Sequence, residues 1–398
     1  MIPPPDLDSA RLEQALGLAH AAIGTTEPNP RVGCVIGSDS GTVFGAGATQ
    51  HAGGPHAEVM ALRDALASGH EIRGATAWVT LEPCAHHGRT PPCCDALIAA
   101  GLSRVVVAVQ DPFSHVAGAG IARMLAAGIR VEMARPALAQ AAWDLNIGFF
   151  SRVLRQRPYV RVKMAASLDG RTGLDNGASQ WITSEEARAD GHAWRKRASA
   201  ILTGVGTVLA DDPRLDVRLV PSEWQPIRVV ADSTLRTPMS ARLLAPPGQV
   251  LLVTVTADTA RANAFRRDGI KVLALPGPDG RVDLRALLAE LGRRAVNELH
   301  VEGGPALTTA LLKAGLVDEV LLYIAPQLLG GHRGMVDWPP LTALQDGLPL
   351  EWLDTTMVGS DLRARLRPRG AAFGPNSADL QVSTRFTHDA TLESGVLR

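Results

Sequence analysis

Pro55-His56-Ala57-Glu58 and, further on, Leu81-Glu82-Pro83-Cys84-Ala85-His86-His87-Gly88-Arg89-Thr90-Pro91-Pro92-Cys93 decide how the first half of this chain folds. One imidazole and two thiolates fill three of the four tetrahedral positions that zinc prefers and leave one for water, the layout of a reactive centre rather than of a closed structural one. Residues two apart on a helix diverge by about 200° around its axis, so His56 and Glu58 can share a site only at a helix's first turn. Gly53-Gly54-Pro55 supplies such a start, because proline is favoured where a helix begins. Pro91-Pro92 likewise sets Cys93 at the head of the next helix, where free N–H groups favour a thiolate. Two helix N-termini are therefore expected to converge on one metal, with His56, Cys84 and Cys93 as ligands. Cys94 and His87 carry the same donor chemistry nearby, and the residues alone leave them open as substitutes. Cys34 lies within an apparent buried strand and reads as core.

Working outward, the first 150 residues alternate β-branched runs with Ala/Leu-rich amphipathic stretches. Helices are expected over 11–23, 56–68, 93–100 and 119–127, and strands over 32–36, 43–48, 76–81, 105–109 and 129–133. A basic stretch ending in proline, residues 151–158, reads as a linker. A second α/β series then runs through strands at 160–165, 227–231, 250–256, 272–275, 298–301 and 319–324, with helices at 185–198, 284–293 and 305–314. From about Pro368 the composition turns to Gly, Pro, Asn and Ser, as in a poorly ordered tail. The expected organisation is a domain over 1–150, a linker over 151–158, a second domain over 159–367 and a tail over 368–398, α/β throughout.

Composition narrows the function. The 398 residues suit two or three domains. Lys plus Arg and Asp plus Glu are 40 each, and aromatic residues make up 4%. The basic surface and stacking platforms of a nucleic-acid binder are thus not expected. No segment approaches a membrane span and Met1 to Asp8 lacks the features of a secretory signal, so a cytoplasmic protein is expected. Four cysteines are too few for a disulfide scaffold of this length. Only four lysines, Lys163, Lys196, Lys271 and Lys313, stand against 36 arginines. A lineage bias explains this most simply, although Arg also suits bidentate phosphate recognition.

H-x-E followed by P-C-x-x-C is the pattern of zinc deaminases, in which the acid is not a ligand but moves protons. Here eight residues separate the two cysteines instead of two. That longer spacing, with its His-His-Gly-Arg-Thr-Pro-Pro insert, resembles the deaminase half of the bifunctional riboflavin-biosynthesis deaminase/reductase family. Pro28-Asn29-Pro30-Arg31-Val32-Gly33-Cys34-Val35 and Gln110-Asp111-Pro112 are similar to that family as well. Ala85 and Phe113-Ser114 depart from it, where Ser and Asn-Pro are common. The resemblance implies a cytidine-deaminase-like three-layer α/β/α domain in which His56, Cys84 and Cys93 bind zinc, Glu58 shuttles protons and Asn29 meets the substrate.

In the second half, Leu299-His300-Val301-Glu302-Gly303-Gly304-Pro305 reads as a strand, a bare turn and a proline-started helix, an arrangement suited to a phosphate. Together with Lys163-Met164-Ala165-Ala166-Ser167-Leu168-Asp169-Gly170-Arg171, Ser179-Gln180-Trp181-Ile182-Thr183-Ser184 and the run from Ile201 to Pro213, it resembles the reductase half of the same family. The resemblance implies a dihydrofolate-reductase-like α/β domain using NADPH. The cofactor is expected near Ala165, Trp181, Thr207, Asp211 and Ser233, and along Gly304, Pro305, Ala306, Leu307, Thr308, Thr309 and Ala310. The substrate and its phosphate are expected at Ser179, Arg195, Leu215, Arg218 and Glu302. Lys163 and Asp169, charges flanking an apolar run, are expected to orient or protonate the sugar. The expected partner is a small phosphorylated pyrimidine substrate, with no nucleic acid or membrane, and the chain is expected to form a homo-oligomer. A nucleic-acid base deaminase, which leaves residues 159–367 unexplained, and a binding module with a structural zinc are the alternatives.

Overall fold

The computed structural model describes residues 6–85, 91–112, 118–245, 247–257 and 259–374. Its chain divides into two compact units, one running to Leu154 and taking in Phe373, the other spanning Arg155–Ala372.

The first unit contains α1 (Leu7–Ala21), β1 (Gly33–Gly37), β2 (Val43–Ala48), α2 (Ala57–Ala67), β3 (Thr76–Val79), α3 (Cys93–Ala99), β4 (Arg104–Val107), α4 (Ala119–Ala126), β5 (Arg130–Met133), α5 (Pro136–Leu145) and α6 (Ile147–Arg155), the last ending at the boundary. Its sheet has the order β2-β1-β3-β4-β5. β1 is antiparallel to both neighbours, while β3, β4 and β5 are parallel. All residues of β1 and β3 are buried, as expected of strands covered on both faces. Helix α1, backed by α5, packs on β1 and β3; α2 packs on β1 and β2, and α3 adjoins α2 and α4. Two glycines permit this close approach. A Cβ at Gly33 would lie 1.9 Å from the Ala15 carbonyl oxygen of α1, and one at Gly47 would lie 2.5 Å from Cβ of Met60 in α2. The expected three-layer arrangement is present.

Three expectations need correction. Helix α1 starts four residues earlier than the apolar spacing suggests, because the Asp6 carboxylate accepts the Ser9 N–H at 2.8 Å and caps it. Residues 151–155, expected in a linker, complete α6, whose Phe150 stacks on Trp143 at 4.1 Å. Packing overrides the basic composition there. Residues 368–373, expected in a tail, are structured: Pro368 ends a strand and Phe373 is buried 5.3 Å from the Trp143 ring. Residues 375–398 lie outside the described residues.

The second unit contains β6 (Tyr159–Ser167), α7 (Glu185–Arg197), β7 (Ala200–Gly204), α8 (Val205–Asp211), β8 (Ile227–Ala231), β9 (Val250–Thr254), α9 (Ala260–Phe265), β10 (Ile270–Ala274), α10 (Leu284–Arg293), β11 (Glu298–Val301), α11 (Pro305–Lys313), β12 (Glu319–Ala325), β13 (Leu350–Val358) and β14 (Asp361–Pro368). The sheet order is β10-β9-β8-β7-β11-β6-β12-β14-β13. It is parallel from β10 to β12 and antiparallel across β14 and β13.

The strand alternation of β6, β11 and β12 sorts two kinds of interior. Val160, Val162, Leu299, Val301 and Val320 join an apolar core with Leu287, Leu291 and Leu311 of α10 and α11. The intervening residues, Arg161, Lys163, Glu298, His300 and Glu319, form the opposite, ionic face, and α7 supplies Trp194, Arg195 and Arg197 to it.

Candidate functional sites

In the first unit the chain places its metal donors at two helix starts. His56 is the N-cap residue of α2 and makes no side-chain cap bond, which leaves its imidazole available; Glu58 follows in the first turn. Cys93 is the first residue of α3, behind Pro92. Cys84 comes from the segment after β3 and is held by the Cys93 N–H, 3.4 Å from its Sγ. His56 Nδ1 lies 3.7 Å from Cys84 Sγ and 3.3 Å from Cys93 Sγ, and the three donor atoms fall within 4.8 Å of one another. Cys94, the open alternative, instead points its thiol at Asp95 Oδ1, 3.7 Å away. His87 lies outside the described residues, as do Phe113 and Ser114. Cys34 is fully buried in β1, as expected.

Electrostatics matches the geometry. Glu58 is buried, and burial pushes its carboxyl up to about 7. Hydrogen bonding from the Cys93 thiol, and then from His56, holds Cys84 down to about 4, while the same pairing pushes Cys93 up. A thiolate, a second thiol and an imidazole turned toward one point are the donor set of a zinc centre with an open position. The residues fit the metal.

Sequence reasoning passed over Glu82. Its buried carboxylate accepts the N–H groups of Asp111 (3.2 Å), Gly118 (3.0 Å) and Ile121 (3.1 Å), tying the segment ahead of Cys84 to the start of α4. Asn29 lies in the loop before β1, its N–H bonded to the Thr26 carbonyl at 2.9 Å.

In the second unit Glu302 follows β11 and meets Arg195 of α7 in a bidentate pair, Nε to Oε1 at 2.5 Å and Nη2 to Oε2 at 2.8 Å. A solvated surface charge, the ordinary reading of a helical arginine, does not describe Arg195, whose side chain is 13% exposed. Lys163 on β6 faces the same pair; burial pushes its ammonium down and Glu302 opposes that shift. Its Nζ has no hydrogen-bond partner among the described residues and lies 5.7 Å from the Tyr323 ring. Such an ammonium is available to a ligand oxygen.

Two further contacts join residues expected at the cofactor and substrate. The Gly304 N–H donates to Thr207 Oγ1 at 3.1 Å, and the Ser179 hydroxyl donates to Asp211 at 3.3 Å. Gly304 caps α11, with Pro305 at its first position, so Ala306 and Leu307 follow in the turn whose N–H groups face outward. Thr308 Oγ1, further along α11, is buried without a partner among the described residues, while Thr309 accepts the Asp337 N–H at 2.8 Å; Ala310 continues the helix. Trp181 is 63% exposed with the Arg188 guanidinium 4.7 Å from its ring, Ala165 pairs with Tyr323, and the Ser233 hydroxyl accepts the Val282 N–H at 3.2 Å.

Three more of the residues expected at the substrate have burial or partners of their own. Leu215 is buried, so only its backbone can meet a ligand. Arg218 is paired by Nη1 with Asp216 at 2.6 Å. Asp169 accepts Ser167 Oγ (2.5 Å), Leu329 N (3.1 Å) and Gly330 N (2.8 Å), and these bonds hold it down to about 2. It fixes a loop and stays ionised, so of the two roles expected of it, orienting or protonating the sugar, the second does not suit it. His192 was missed: buried, it accepts the Arg218 N–H at 3.1 Å.

The two units are an N-terminal zinc-deaminase domain and a C-terminal reductase domain. Residues 5–109 match the cytidine and deoxycytidylate deaminase zinc-binding region, and residues 158–363 match the RibD C-terminal domain. The riboflavin biosynthesis protein RibD of Escherichia coli K12 is 46% identical over 368 residues, covering 89% of this chain and 98% of that protein. Its counterpart from Aquifex aeolicus is 39% identical, covering 90% and 97%. Among solved structures, Acinetobacter baumannii RibD superposes with a TM-score of 0.82 at 40% identity, covering 91% of this chain and 99% of that one. A Thermotoga maritima diaminohydroxyphosphoribosylaminopyrimidine deaminase/5-amino-6-(5-phosphoribosylamino)uracil reductase gives 0.82 at 30% identity over the same shares. The chain belongs to the RibD family of bifunctional deaminase/reductase enzymes of riboflavin biosynthesis. No described helix is long and apolar enough to cross a membrane.

Proposed function

We propose that the first domain converts 2,5-diamino-6-(5-phosphoribosylamino)pyrimidin-4(3H)-one to the corresponding uracil, and that the second reduces the ribosyl group of that product to ribityl with NADPH. The observation that carries the first step is the convergence of His56 Nδ1, Cys84 Sγ and Cys93 Sγ within 4.8 Å, with buried Glu58 beside them.

His56, Cys84 and Cys93 would hold zinc, and when bound it supplies a Lewis acid that makes water nucleophilic at neutral pH. Glu58 does the proton work. With its carboxyl raised to about 7 by burial, it exists in both forms near neutrality, so it can take a proton from the attacking water and return one to the departing amino group. Water adds at the amino-bearing ring carbon, the C–N bond breaks, ammonia leaves and a carbonyl remains. Asn29 is assigned to the substrate.

For reduction, Gly304, Pro305, Ala306, Leu307, Thr308, Thr309 and Ala310 with Ala165, Trp181, Thr207, Asp211 and Ser233 would hold NADPH, which supplies hydride to C1 of the ribose. As the lone pair of the amino nitrogen on C1 forms a C=N bond and the C1–O bond of the sugar ring breaks, the departing ring oxygen must gain a proton. Lys163, a half-buried ammonium without a hydrogen-bond partner among the described residues, is the group we assign to that oxygen. The Glu302 carboxylate, itself fixed by Arg195, favours the charged form of that lysine, and Ser179, Arg218 and the Leu215 backbone complete the substrate side. A cytoplasmic location and a homo-oligomer belong to the same reading; the exposed Trp352 and Met357 of β13, an edge strand, support a second copy there.

Glu58→Gln tests the first half: ammonia release should fall by about 10²- to 10⁴-fold with bound zinc unchanged, and undiminished release would remove Glu58 from the role. Lys163→Met tests the second: NADPH oxidation should fall while ammonia release persists, and an unchanged rate would refute the assignment.

A further inference from the structure

Arg214, Asp216, Arg228, Arg242, Ala245 and Pro247 line a cavity of about 200 Å³ that adjoins the substrate side through Asp216, whose carboxylate accepts Arg218 and whose carbonyl accepts Arg195. Arg228 is the second residue of β8 and Pro247 lies just ahead of β9, so the cavity sits toward the amino ends of the parallel strands. Glu302 and Gly304, by contrast, follow the carboxyl end of β11.

Charge in this cavity is not balanced. Three guanidiniums line it against one carboxylate. Arg228 is 3% exposed, and its Nη1 and Nη2 donate to the carbonyls of Ala245 (2.7 Å), Pro247 (2.7 Å) and Gly248 (3.0 Å). Carbonyl oxygens orient a cation without cancelling its charge. The acid that opposes the effect of burial on Arg228 is Asp216. Asp216, however, already holds Arg214 Nε at 2.8 Å and Arg218 Nη1 at 2.6 Å. Arg242 is exposed, its guanidinium has no partner among the described residues, and Asp212 takes only its backbone N–H, at 2.8 Å.

One carboxylate therefore serves several guanidiniums around a space that, at about 30 Å³ per water, would hold roughly seven waters. A phosphate group with part of its hydration fits that space, and its tetrahedral oxygens suit guanidiniums arriving from several sides. We infer that this cavity is a phosphate-binding site, taking the group between Arg214, Arg228 and Arg242. Because Arg214 is shared, phosphate there draws Arg214 away from Asp216 and leaves that acid to Arg218 and its segment.

The test is calorimetric titration of the full chain with inorganic phosphate. One phosphate should bind at this site, more weakly as salt rises. Arg214→Gln and Arg242→Gln should each weaken it by about tenfold or more. Asp216→Asn, which removes the competing carboxylate, should tighten it, a gain that damaged folding would not produce. Ammonia release should be unchanged in all three variants. The source of the phosphate is read from the reductase. A KM for the phosphorylated substrate raised about tenfold in Arg242→Gln identifies the substrate's own phosphate as the occupant. Lost phosphate binding with an unchanged KM identifies a free anion. No binding at roughly 10 mM together with an unchanged KM overturns the proposal, as does binding lost in Arg218→Gln but intact in Arg242→Gln.

Discussion

Glu302→Gln should cost the reductase domain both stability and turnover. Glu302 takes two charge-assisted bonds from Arg195, at 2.5 and 2.8 Å, and its side chain is 18% exposed. Breaking a buried ion pair by removing one partner costs about 3–5 kcal/mol, because the other charge is left uncompensated. Glutamine keeps one acceptor oxygen and so recovers about 1 kcal/mol as a hydrogen bond. The net loss is about 2–4 kcal/mol, which lowers the melting point of a domain of this size by roughly 4–16 °C at about 2–4 °C per kcal/mol. Turnover should fall further than stability explains, since the same carboxylate is the acid that keeps Lys163 charged. Differential scanning calorimetry of the full chain should show one transition shifted. NADPH oxidation at 25 °C, where most molecules remain folded, should be strongly reduced while ammonia release is unchanged. Arg195→Gln/Glu302→Gln should recover part of the melting temperature, because no charge is left buried alone, but not the activity. A Glu302→Gln protein that melts and turns over like the parent would refute the reasoning.

Other changes act through single, separable contacts. His192 is held down to about 4, chiefly by burial. The unfolded chain therefore takes up the proton first, and reductase-domain stability should be full above about pH 6.5 and decline as pH falls toward 4. His192→Gln should flatten the pH dependence of melting between pH 5 and 6.5, estimated from the same ordinary histidine value; a wild-type profile already flat there would contradict it. Cys94→Ser should retain one zinc per chain by elemental analysis, whereas Cys93→Ser should lose it. Gly47→Ala should push α2 from β2, costing about 1–3 kcal/mol and most of the ammonia release while sparing NADPH oxidation, because its Cβ would lie 2.5 Å from Met60 and 2.6 Å from the Ala61 nitrogen.

The metal site was legible in the sequence because its chemistry is local: H-x-E at a proline-marked helix start and a second proline-marked start at Cys93 predict the convergence with no knowledge of the sheet. Most strands of the parallel sheet were legible too, since β-branched runs such as Ile227–Ala231 sit largely buried and carry no competing period, but β7 (Ala200–Gly204), in the middle of that sheet, was not among them. What escaped notice depends on distant partners. The α5 and α6 pair is held by aromatic stacking of Trp143 on Phe150, and the β13–β14 hairpin has its register shifted between Trp352 and Asp354, with apolar residues left exposed. Alternation fails as a guide there. The ionic face under α7 was equally hidden. Its helix, EEARADGHAWRKR, reads as a solvated surface until Glu298 and Glu302, more than a hundred residues away, are brought against Arg197 and Arg195.

That ionic face also gives the arginine excess a physical content beyond lineage. Arg161 bridges Glu298 at 2.8 Å and Glu319 at 2.9 Å while its plane lies 4.4 Å from the Trp194 ring, and Arg365 and Arg197 reach the same two acids. Each role asks for a planar, permanently charged fork that binds along its edge and stacks on its face. Lysine, a point charge whose proton is lost on burial, cannot perform it. The one lysine on this face is Lys163, and it is the cation without a hydrogen-bond partner among the described residues. The division follows from proton affinity. Arginines build the layer because they do not titrate, and the single position where a proton can be given up at moderate cost is occupied by the residue able to release one. Lys163→Arg would keep the charge and fix the proton. It should therefore preserve melting temperature within about 1 kcal/mol of stability while abolishing NADPH oxidation, and a Lys163→Arg protein that still reduces its substrate would show that charge alone suffices at that position.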